Sequence, residues 1–482
     1  MVSRNLKILI ISKQFPPNIG GGGAHAEYLA NALAERGHKV IVLTSTSKKH
    51  KTIDKTPKDS NPAIYRKDFD STKTLHYESP IERGLRICED TAPDIIHGQH
   101  LAGAFIGLHL KASFGIPLVV TIHKTPLSQW DETKPKQHST YSFLKLLSQL
   151  ESIDLFIAGS EAFKQELLNI GVKAKKIKRI YHGIPVETFR GDGHKEHIMT
   201  PIITRLDFKP NKHFKIDGEL EGDLFRKKIS EKFIQTFATN GFSLEKNLQI
   251  IRENNNGWTI VDDDIFIVKK EDEKLNIHPV NIIFCPSRID ERRKNLDVFV
   301  KACGLLHQQI NDRNFIFLIT GKAENQFEER YQRQLEGIAD DMGIKENLKF
   351  ISFTRWELPV VYRLAKVCVL PSLREGLGLT LVEALALRTP IIGTNVIGIK
   401  EVIESNGKYG LFFDIGDFEH LGKQLLNLVC NNKLREKLKH DGYKRAEENF
   451  NAKWMAMNHI ECYKHLIEKK GLRDNKSRLP KF

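Results

Sequence analysis

Long hydrophobic runs are missing from this sequence of 482 residues. No stretch approaches the ~18 apolar residues that a membrane-spanning helix requires, which argues against a protein held in a membrane by such helices. The N-terminal residues 1–5 lead directly into an apolar strand pattern, without the hydrophobic region of a signal peptide. We therefore expect a cytoplasmic protein.

Cysteine is also scarce: the chain has six, and they show no paired spacing of the kind that zinc sites use. Cys285, Cys303 and Cys368 each lie among apolar residues, which is typical of buried thiols and not of disulfides. This usage fits a reducing compartment and predicts neither a metal centre nor a disulfide framework.

Charge, by contrast, is abundant and unbalanced. Hydrophobic residues make up 40% and charged residues 28% of the chain, as expected for a soluble globular protein of about two or three domains. The net charge of +14 favours anionic partners: phosphorylated ligands, the anionic inner face of a membrane, or nucleic acid. Solvated lysine-rich faces would give the same excess, and the short basic clusters at 48–51 and 173–179 are not long amphipathic helices.

The N-terminal stretch predicts a β-α-β unit that contains a glycine loop. Lys7–Ser12 is a continuous apolar run typical of a buried parallel strand, and four glycines follow at 20–23. A helix with apolar residues from Ala26 to Leu33 comes next, before a second strand. The glycines lie where open α/β sheets bind ligands, but they do not form the Gly-x-Gly-x-x-Gly fingerprint, so we predict no nicotinamide cofactor.

Strand and helix patterns alternate through both halves of the chain, which predicts doubly wound parallel sheets. In the first half, 97–100 and Thr121–His123 each follow a strand run. Both are therefore expected to point into one crevice at the carboxyl ends of the strands. His123 lies where several loops should converge, which favours a functional role over a structural one.

In the second half, two glutamates bracket a strand, a loop and a helix start. Val367–Leu370 predicts a short buried strand, and a loop with two glycines leads into a helix. A helix start presents backbone N–H groups that suit an anion. Glu375 in the loop and Glu383 in the helix supply carboxylates, which accept hydrogen bonds from hydroxyls such as those of a sugar and a ribose.

Two cations follow another predicted strand, at 281–285. Arg288 and Lys294 lie just beyond its carboxyl end, where guanidinium and ammonium groups can bind an anion. Arg292 and Arg293, between them, are interpreted as a solvated basic turn.

These motifs resemble those of the retaining glycosyltransferases of the family-4 type. Glu375 and Glu383, with seven residues between them, match the family's paired glutamates, which contact the donor sugar and the ribose of the nucleotide. Arg288 and Lys294 match the cations aimed at the donor diphosphate. His123 matches the histidine that faces the donor sugar near the reacting carbon.

The resemblance extends to the first glycines, since Gly20 and Gly21 match a pair that lies close to the diphosphate. The segment 181–185 is also similar to the family, but His182 stands where the family usually has Asn, and we assign it no role. The resemblance implies His123, Arg288, Lys294 and Glu375 as catalytic residues. It implies as donor-binding residues Gly20, Gly21, Arg288, Lys294, Glu375, Gly376, Leu377, Gly378, Leu379, Thr380 and Glu383.

The fold implied is GT-B: two Rossmann-like α/β domains of doubly wound parallel sheet that face a cleft, with a small α+β insertion. We expect the first domain at 1–186, the insertion at 187–279 and the nucleotide-sugar-binding domain at 280–449. A helix at about 450–470 should cross back onto the first domain, and 471–482 should form a frayed basic tail.

The insertion at 187–279 departs from the family, which has a short connection there. Its pattern predicts two helices and then a hairpin whose tip carries Asp262–Asp264. Binding of the acceptor or of a protein partner is the favoured interpretation. A winged-helix nucleic-acid reader is less favoured because no arginine-rich recognition helix is evident, and metal binding by the acidic triplet is disfavoured at a hairpin tip.

The resemblance thus implies transfer of a hexose-type sugar from a nucleotide sugar, such as a UDP- or GDP-sugar, with retention of anomeric configuration and without metal or other cofactor. The acceptor stays open among glycan, lipid-linked, metabolite and protein hydroxyls. Two alternatives remain: a nucleotide-sugar 2-epimerase of the same fold, and a non-catalytic sugar-nucleotide-binding scaffold.

Overall fold

Two parallel β-sheets organise the chain, one in each half. The computed structural model describes residues 5–16, 21–46, 60–67, 69, 78–123, 150–189, 256–261, 264–271, 274–289, 292–310, 314–321, 323, 325–355 and 357–477. The predicted class, two doubly wound α/β domains facing a cleft, is confirmed. The predicted helices of the insertion and Gly20 lie outside the described residues.

The first sheet has seven parallel strands in the order β3-β2-β1-β4-β5-β6-β7. Its centre is buried because β1 and β2 carry continuous apolar runs and helices cover both faces. Strand β4 is buried as well, although it ends in the polar residues His97 and Gln99. The strands are β1 (Lys7–Ser12), β2 (Lys39–Ser45), β3 (Ala63–Lys67), β4 (Ile95–Gln99), β5 (Leu118–Thr121), β6 (Leu155–Ala158) and β7 (Ile177–Arg179). The edge strand β3 was not predicted, since only one of its five residues is buried and its apolar pattern is short.

The helices of this domain are α1 (Gly21–Glu35), α2 (Glu78–Thr91), α3 (His100–Phe114), α4 (Glu161–Asn169) and α5 (Val186–Phe189). Helix α1 begins earlier than predicted. Gly21–Gly23 form its first turn instead of a loop, because the buried face of the helix holds them in place although glycine is a poor helix former. The backbone N–H groups of that turn therefore lie at the carboxyl edge of the sheet, as the glycine-loop hypothesis required.

The second sheet has the order β12-β11-β10-β13-β14-β15. The antiparallel hairpin β8–β9 extends it, as the pattern at the end of the insertion predicted. Its strands are β8 (Asn256–Val261), β9 (Asp264–Glu271), β10 (Lys274–Cys285), β11 (Asn314–Thr320), β12 (Leu348–Ile351), β13 (Ala365–Leu370), β14 (Ile391–Thr394) and β15 (Leu411–Phe413). Strand β10 runs through the predicted domain boundary at residue 280, so the hairpin and the second sheet share one continuous strand.

The helices of the second half are α6 (Leu296–Gln309), α7 (Gln326–Asp341), α8 (Leu358–Leu364), α9 (Leu379–Ala386), α10 (Ile397–Ile403), α11 (Phe418–Cys430), α12 (Asn432–Asn449) and α13 (Ala452–Ser477). Helix α13 packs against α1 of the first domain, so the chain crosses back. It extends to Ser477, so the first part of the predicted frayed tail is helical. Within the described part of the chain, no helix is both long and apolar enough to cross a membrane.

One apolar cluster joins the two domains. It contains Ile8 and Leu29 of the first domain, Phe284 and Leu381 of the second, and Tyr463 of the crossing helix. Because burial of apolar surface stabilises this cluster as a unit, the two domains are packed together and not merely tethered. The cleft between their sheet edges therefore has defined walls.

Candidate active site

A cleft of about 810 Å³ lies between the two domains, at the carboxyl ends of their parallel strands. This is the edge where open α/β sheets bind ligands. The first domain contributes Gly21, Gly22, His123, Ala162, Phe163, Gln165, Glu166, Asn169 and His182. The second contributes Pro286, Ser287, Arg288, Arg293, Lys294, Leu373–Thr380, Asn395, Val396, Ile397 and Lys400.

The loop between β13 and α9, residues 371–378, forms much of one wall. Gly378, the N-cap of α9, has φ 79°, a left-handed conformation that favours glycine, and as a glycine it offers no side-chain cap to this helix start. The Thr380 hydroxyl in the first turn of α9 is buried and has no hydrogen-bond partner among the described residues. A helix start with unsatisfied polar groups facing a cleft is suited to an anionic, hydroxyl-rich ligand.

Gly376 shows why this loop needs a residue without a side chain. A Cβ built there would lie 2.0 Å from Cζ of Phe163, which belongs to α4 of the first domain. The loop therefore contacts the opposite domain directly.

Glu375 is held by two cations. Lys294 Nζ donates a 2.7 Å hydrogen bond to Glu375 Oε1, and Arg293 Nη1 lies 3.5 Å from the same oxygen. Burial opposes ionisation of Glu375, but Lys294 and Arg293 outweigh it and hold the pKa of the carboxyl below its ordinary value. Glu375 is therefore a charged acceptor at neutral pH.

Glu383 is in the opposite electrostatic situation. Burial raises its pKa from 4.5 to about 7, against the opposing effects of the hydrogen bond from Tyr362 and the charge of Arg355. The Tyr362 hydroxyl donates to Glu383 Oε2 over 2.9 Å. Glu383 is not among the residues that line the 810 Å³ volume; its carboxylate lies beside a contact between the domains.

That contact is an ion pair between Arg355, in the loop after β12, and Glu27 of α1. The Arg355 guanidinium also lies over the Tyr28 ring, 5.1 Å from its centroid. Burial, followed by the charge of Glu383, raises the pKa of Tyr28 to about 12. First-domain groups therefore enclose the end of the site that contains Glu383.

A second contact between the domains lies near α4. The backbone N–H of Glu161 donates to both carboxylate oxygens of Glu401, each over 2.8 Å, and that of Ala162 donates over 3.2 Å. Glu401 belongs to α10 of the second domain, so its charge stabilises the N-terminus of a first-domain helix.

Arg288 is exposed on the cleft wall, next to Ser287. The Ser287 hydroxyl is buried and has no hydrogen-bond partner among the described residues. The side chain of Lys294 is 14% exposed. Cationic groups, the α9 helix start and the Ser287 and Thr380 hydroxyls thus share one wall.

His123 lies on the facing wall within a group of histidines. Its ring centroid is 5.0 Å from those of His25 and His182. His25 and His182 approach each other through their Nδ1 atoms, 2.6 Å apart, which requires one of these atoms to donate and the other to accept. Burial, followed by the nearby charge of His459, lowers the pKa of His182 to about 3, so this ring is neutral.

The structure brings together Gly21, His123, Arg288, Lys294, Glu375 and the loop through Thr380, but it places Glu383 outside the measured cleft volume. It adds Arg293, which the sequence analysis interpreted as solvated. It also adds Phe163 and His182. The only signal for either residue was the His at position 182, where the family usually has Asn.

Two family models match the chain. The model described as Glycosyltransferase Family 4 matches residues 19–188, and the model described as Glycosyl transferases group 1 matches residues 268–445. Together they span more than half of the sequence and contain every residue proposed above for the site.

Curated relatives agree with the family models. An uncharacterized glycosyltransferase of Methanocaldococcus jannaschii is 22% identical over 409 residues, which are 83% of this chain and 84% of the relative. A D-inositol 3-phosphate glycosyltransferase of Paenarthrobacter aurescens is 32% identical over 126 residues, 26% of this chain and 29% of the relative.

Solved structures share the fold. Sucrose-phosphate synthase from Thermosynechococcus elongatus aligns with a TM-score of 0.66 at 18% identity, over 97% of this chain and all of that one (100%). HepE from Anabaena in complex with UDP and glucose aligns with a TM-score of 0.62 at 16% identity, over 96% and 100%.

Proposed function

The chain belongs to glycosyltransferase family 4, with the GT-B fold, and we propose that it transfers a hexose-type sugar from a nucleotide-sugar donor to an acceptor with retention of anomeric configuration. The observation that carries this proposal is the cleft wall on which Arg288, Lys294, Glu375 and the α9 helix start occur together. Both matching models describe glycosyl transferases, which favours transfer over 2-epimerisation or a scaffold role.

The second domain holds the donor diphosphate in this proposal. Arg288 and Lys294 supply positive charge, and the first backbone N–H groups of α9 supply oriented dipoles. Gly21 begins α1 on the facing wall and adds a further helix start. These groups stabilise the diphosphate as it departs, and no metal or other cofactor is invoked.

Carboxylates and His123 bind the remaining parts of the donor. Glu375, kept ionised by Lys294 and Arg293, accepts hydrogen bonds from sugar hydroxyls. His123 contacts the sugar from the first domain. Glu383 accepts hydrogen bonds from the ribose, at the end of the site that the Glu27–Arg355 ion pair borders.

We propose that the departing diphosphate assists the acceptor, which then attacks the anomeric carbon from the face that the diphosphate leaves. The product should then have the anomeric configuration of the donor. Proton NMR of the product gives the coupling constant at the anomeric carbon, and an inverted anomer would refute this mechanism.

Related structures contain UDP, with or without glucose, so a UDP-sugar is the first donor to test. A thermal-shift screen against UDP- and GDP-sugars should show one ligand with the largest increase in Tm, since binding to the native state stabilises by mass action. That increase should be lost in both Glu383→Ala and Arg288→Ala. The proposal would be contradicted if no nucleotide sugar raised Tm, or if both variants showed the same increase in Tm as the native protein.

Four points remain predictions. They are the identity of the acceptor, a cytoplasmic location, contact with an anionic membrane, and a role of residues 187–279 in binding the acceptor or a protein partner. The described hairpin places the end of that segment at the second sheet, through β9 and β10.

A further inference from the structure

A buried chain of hydrogen bonds leads from His123 into the first domain. His123 Nε2 lies 2.8 Å from Gln99 Oε1, and Gln99 Nε2 lies 3.2 Å from His97 Nε2. His97 Nδ1 lies 2.6 Å from the Tyr463 hydroxyl of the crossing helix α13. Thr121 Oγ1 is 2.8 Å from His97 Nε2. Of these residues, the proposed function uses only His123.

The donor and acceptor roles follow from Gln99. In the orientation that the Gln99 amide has in the structure, its oxygen faces His123 and can only accept a hydrogen bond, so His123 Nε2 carries the hydrogen. An amide nitrogen can only donate, so His97 Nε2 must accept. The hydrogen of His97 is then on Nδ1 and is donated to the Tyr463 oxygen. Burial, followed by the nearby His459, lowers the pKa of His97 well below its ordinary value, so this ring is neutral and keeps the lone pair that the chain requires.

The backbone around Gln99 is not arranged for the stability of helix α3. Gln99 is the N-cap of α3, but its side chain makes no capping hydrogen bond, although Ser, Thr, Asp or Asn would stabilise the helix there. The next residue, His100, has φ 58°, a left-handed conformation that costs a non-glycine residue free energy. Gln99 is 2% exposed, so its amide is committed to the two histidines. Local strain of this kind is characteristic of functional sites.

We propose that Gln99 is a positioning residue that holds His123 in the tautomer with hydrogen on Nε2 and thereby fixes the orientation of the ring on the cleft wall. This proposal rests on the proposed function for the identity of the ligand, but not for the state of the ring. The chain through His97 and Tyr463 anchors Gln99 to α13, which makes the crossing helix part of the support of the site.

Two substitutions at Gln99 separate the contributions of its contacts with His123 and His97. Gln99→Leu removes both amide contacts at similar volume. Gln99→Glu keeps an oxygen that accepts from His123, and in its protonated form it also donates to His97. Gln424→Leu is the matched control, since Gln424 Nε2 lies 3.0 Å from His420 Nε2 in the second domain, and Gln424 is not among the cleft residues.

Ring-nitrogen NMR of protein labelled with ¹⁵N-histidine reports the tautomer, with His123→Gln used to assign the signal. We expect the Nε2–H tautomer in the native protein, in Gln99→Glu and in Gln424→Leu, and a mixture of tautomers in Gln99→Leu. With the donor found in the screen, kcat should fall about 10- to 100-fold in Gln99→Leu, with a smaller change in donor KM, and recover largely in Gln99→Glu.

An Nδ1–H tautomer in the native protein, or an unchanged tautomer and kcat in Gln99→Leu, would overturn the positioning role. The ring measurement needs no turnover. If the native protein binds no nucleotide sugar, the proposed function is refuted. If the Nε2–H tautomer of His123 is nevertheless lost in Gln99→Leu, the role of Gln99 is upheld.

Discussion

Replacing Lys294 by alanine is expected to lower kcat/KM for sugar transfer by about 10²–10³-fold, as loss of a preorganised group that stabilises transition-state charge does in other enzymes. In the proposed mechanism Lys294 supplies positive charge to the donor diphosphate, and in the structure it donates a hydrogen bond to Glu375 over 2.7 Å. Its loss removes charge stabilisation from the leaving group and leaves Glu375 with Arg293 as the remaining cation at 3.5 Å.

Two variants show whether the charge is the cause. Lys294→Gln keeps a hydrogen-bond donor for Glu375 and should lose nearly as much activity as Lys294→Ala. Lys345→Ala removes an exposed ion pair with Asp340, outside the cleft, and should leave kcat/KM unchanged. Steady-state rates of nucleotide release with the donor from the screen provide the measurement. Native-like activity in Lys294→Gln would exclude a role for the charge.

The affinity for a nucleotide sugar is expected to fall about tenfold when the pH is lowered from 8 to 6. Burial raises the pKa of Glu383 to about 7, so the carboxyl is mostly ionised at pH 8 and mostly protonated at pH 6. In the proposed donor complex the ionised form accepts hydrogen bonds from the ribose hydroxyls, so protonation should weaken binding. Glu375 does not contribute to this change, since its pKa is held below the ordinary value.

The groups around Glu383 predict how the midpoint of this pH dependence should move when one of them is replaced. Tyr362 donates to the carboxylate and Arg355 attracts it, and both favour the ionised form. The thiol of Cys368 and the phenol of Tyr28 also face this carboxylate, and burial raises the pKa of each, so both are neutral in this range.

Calorimetric titration of donor between pH 5.5 and 8.5 should therefore give a midpoint near 7 in the native protein and a higher midpoint in Tyr362→Phe. Glu383→Gln should bind weakly at every pH. A sloping profile in Glu383→Gln would assign the titration to another group.

The fold could be predicted from sequence because its elements leave local patterns. The apolar runs of β1 and β2 identify buried parallel strands, and the alternation with helices identifies the doubly wound sheets. The loop before α9 could be located for the same reason, since strand, glycines and helix start occur within twenty residues. The polar edge strand β3 and the helical first turn at Gly21 lack such patterns.

Contacts between the domains could not be predicted. Arg355 meets Glu27 across 328 positions of sequence, and Glu401 meets the start of α4 across 240. Neither pair has a local signature, because both depend on how the two sheets face each other. Arg293 was interpreted as solvated because a run of cations in a turn does not indicate which side chain points inward. The same holds for Gln99, whose partner His123 lies 24 positions further along the sequence.

The most direct test of the central claim is a crystal structure with the nucleotide sugar that gives the largest thermal shift. The account predicts diphosphate oxygens within hydrogen-bond distance of Lys294 Nζ and the Arg288 guanidinium, with the sugar between Glu375 and His123. A nucleotide bound away from the interdomain cleft, or a diphosphate out of reach of both cations, would contradict it.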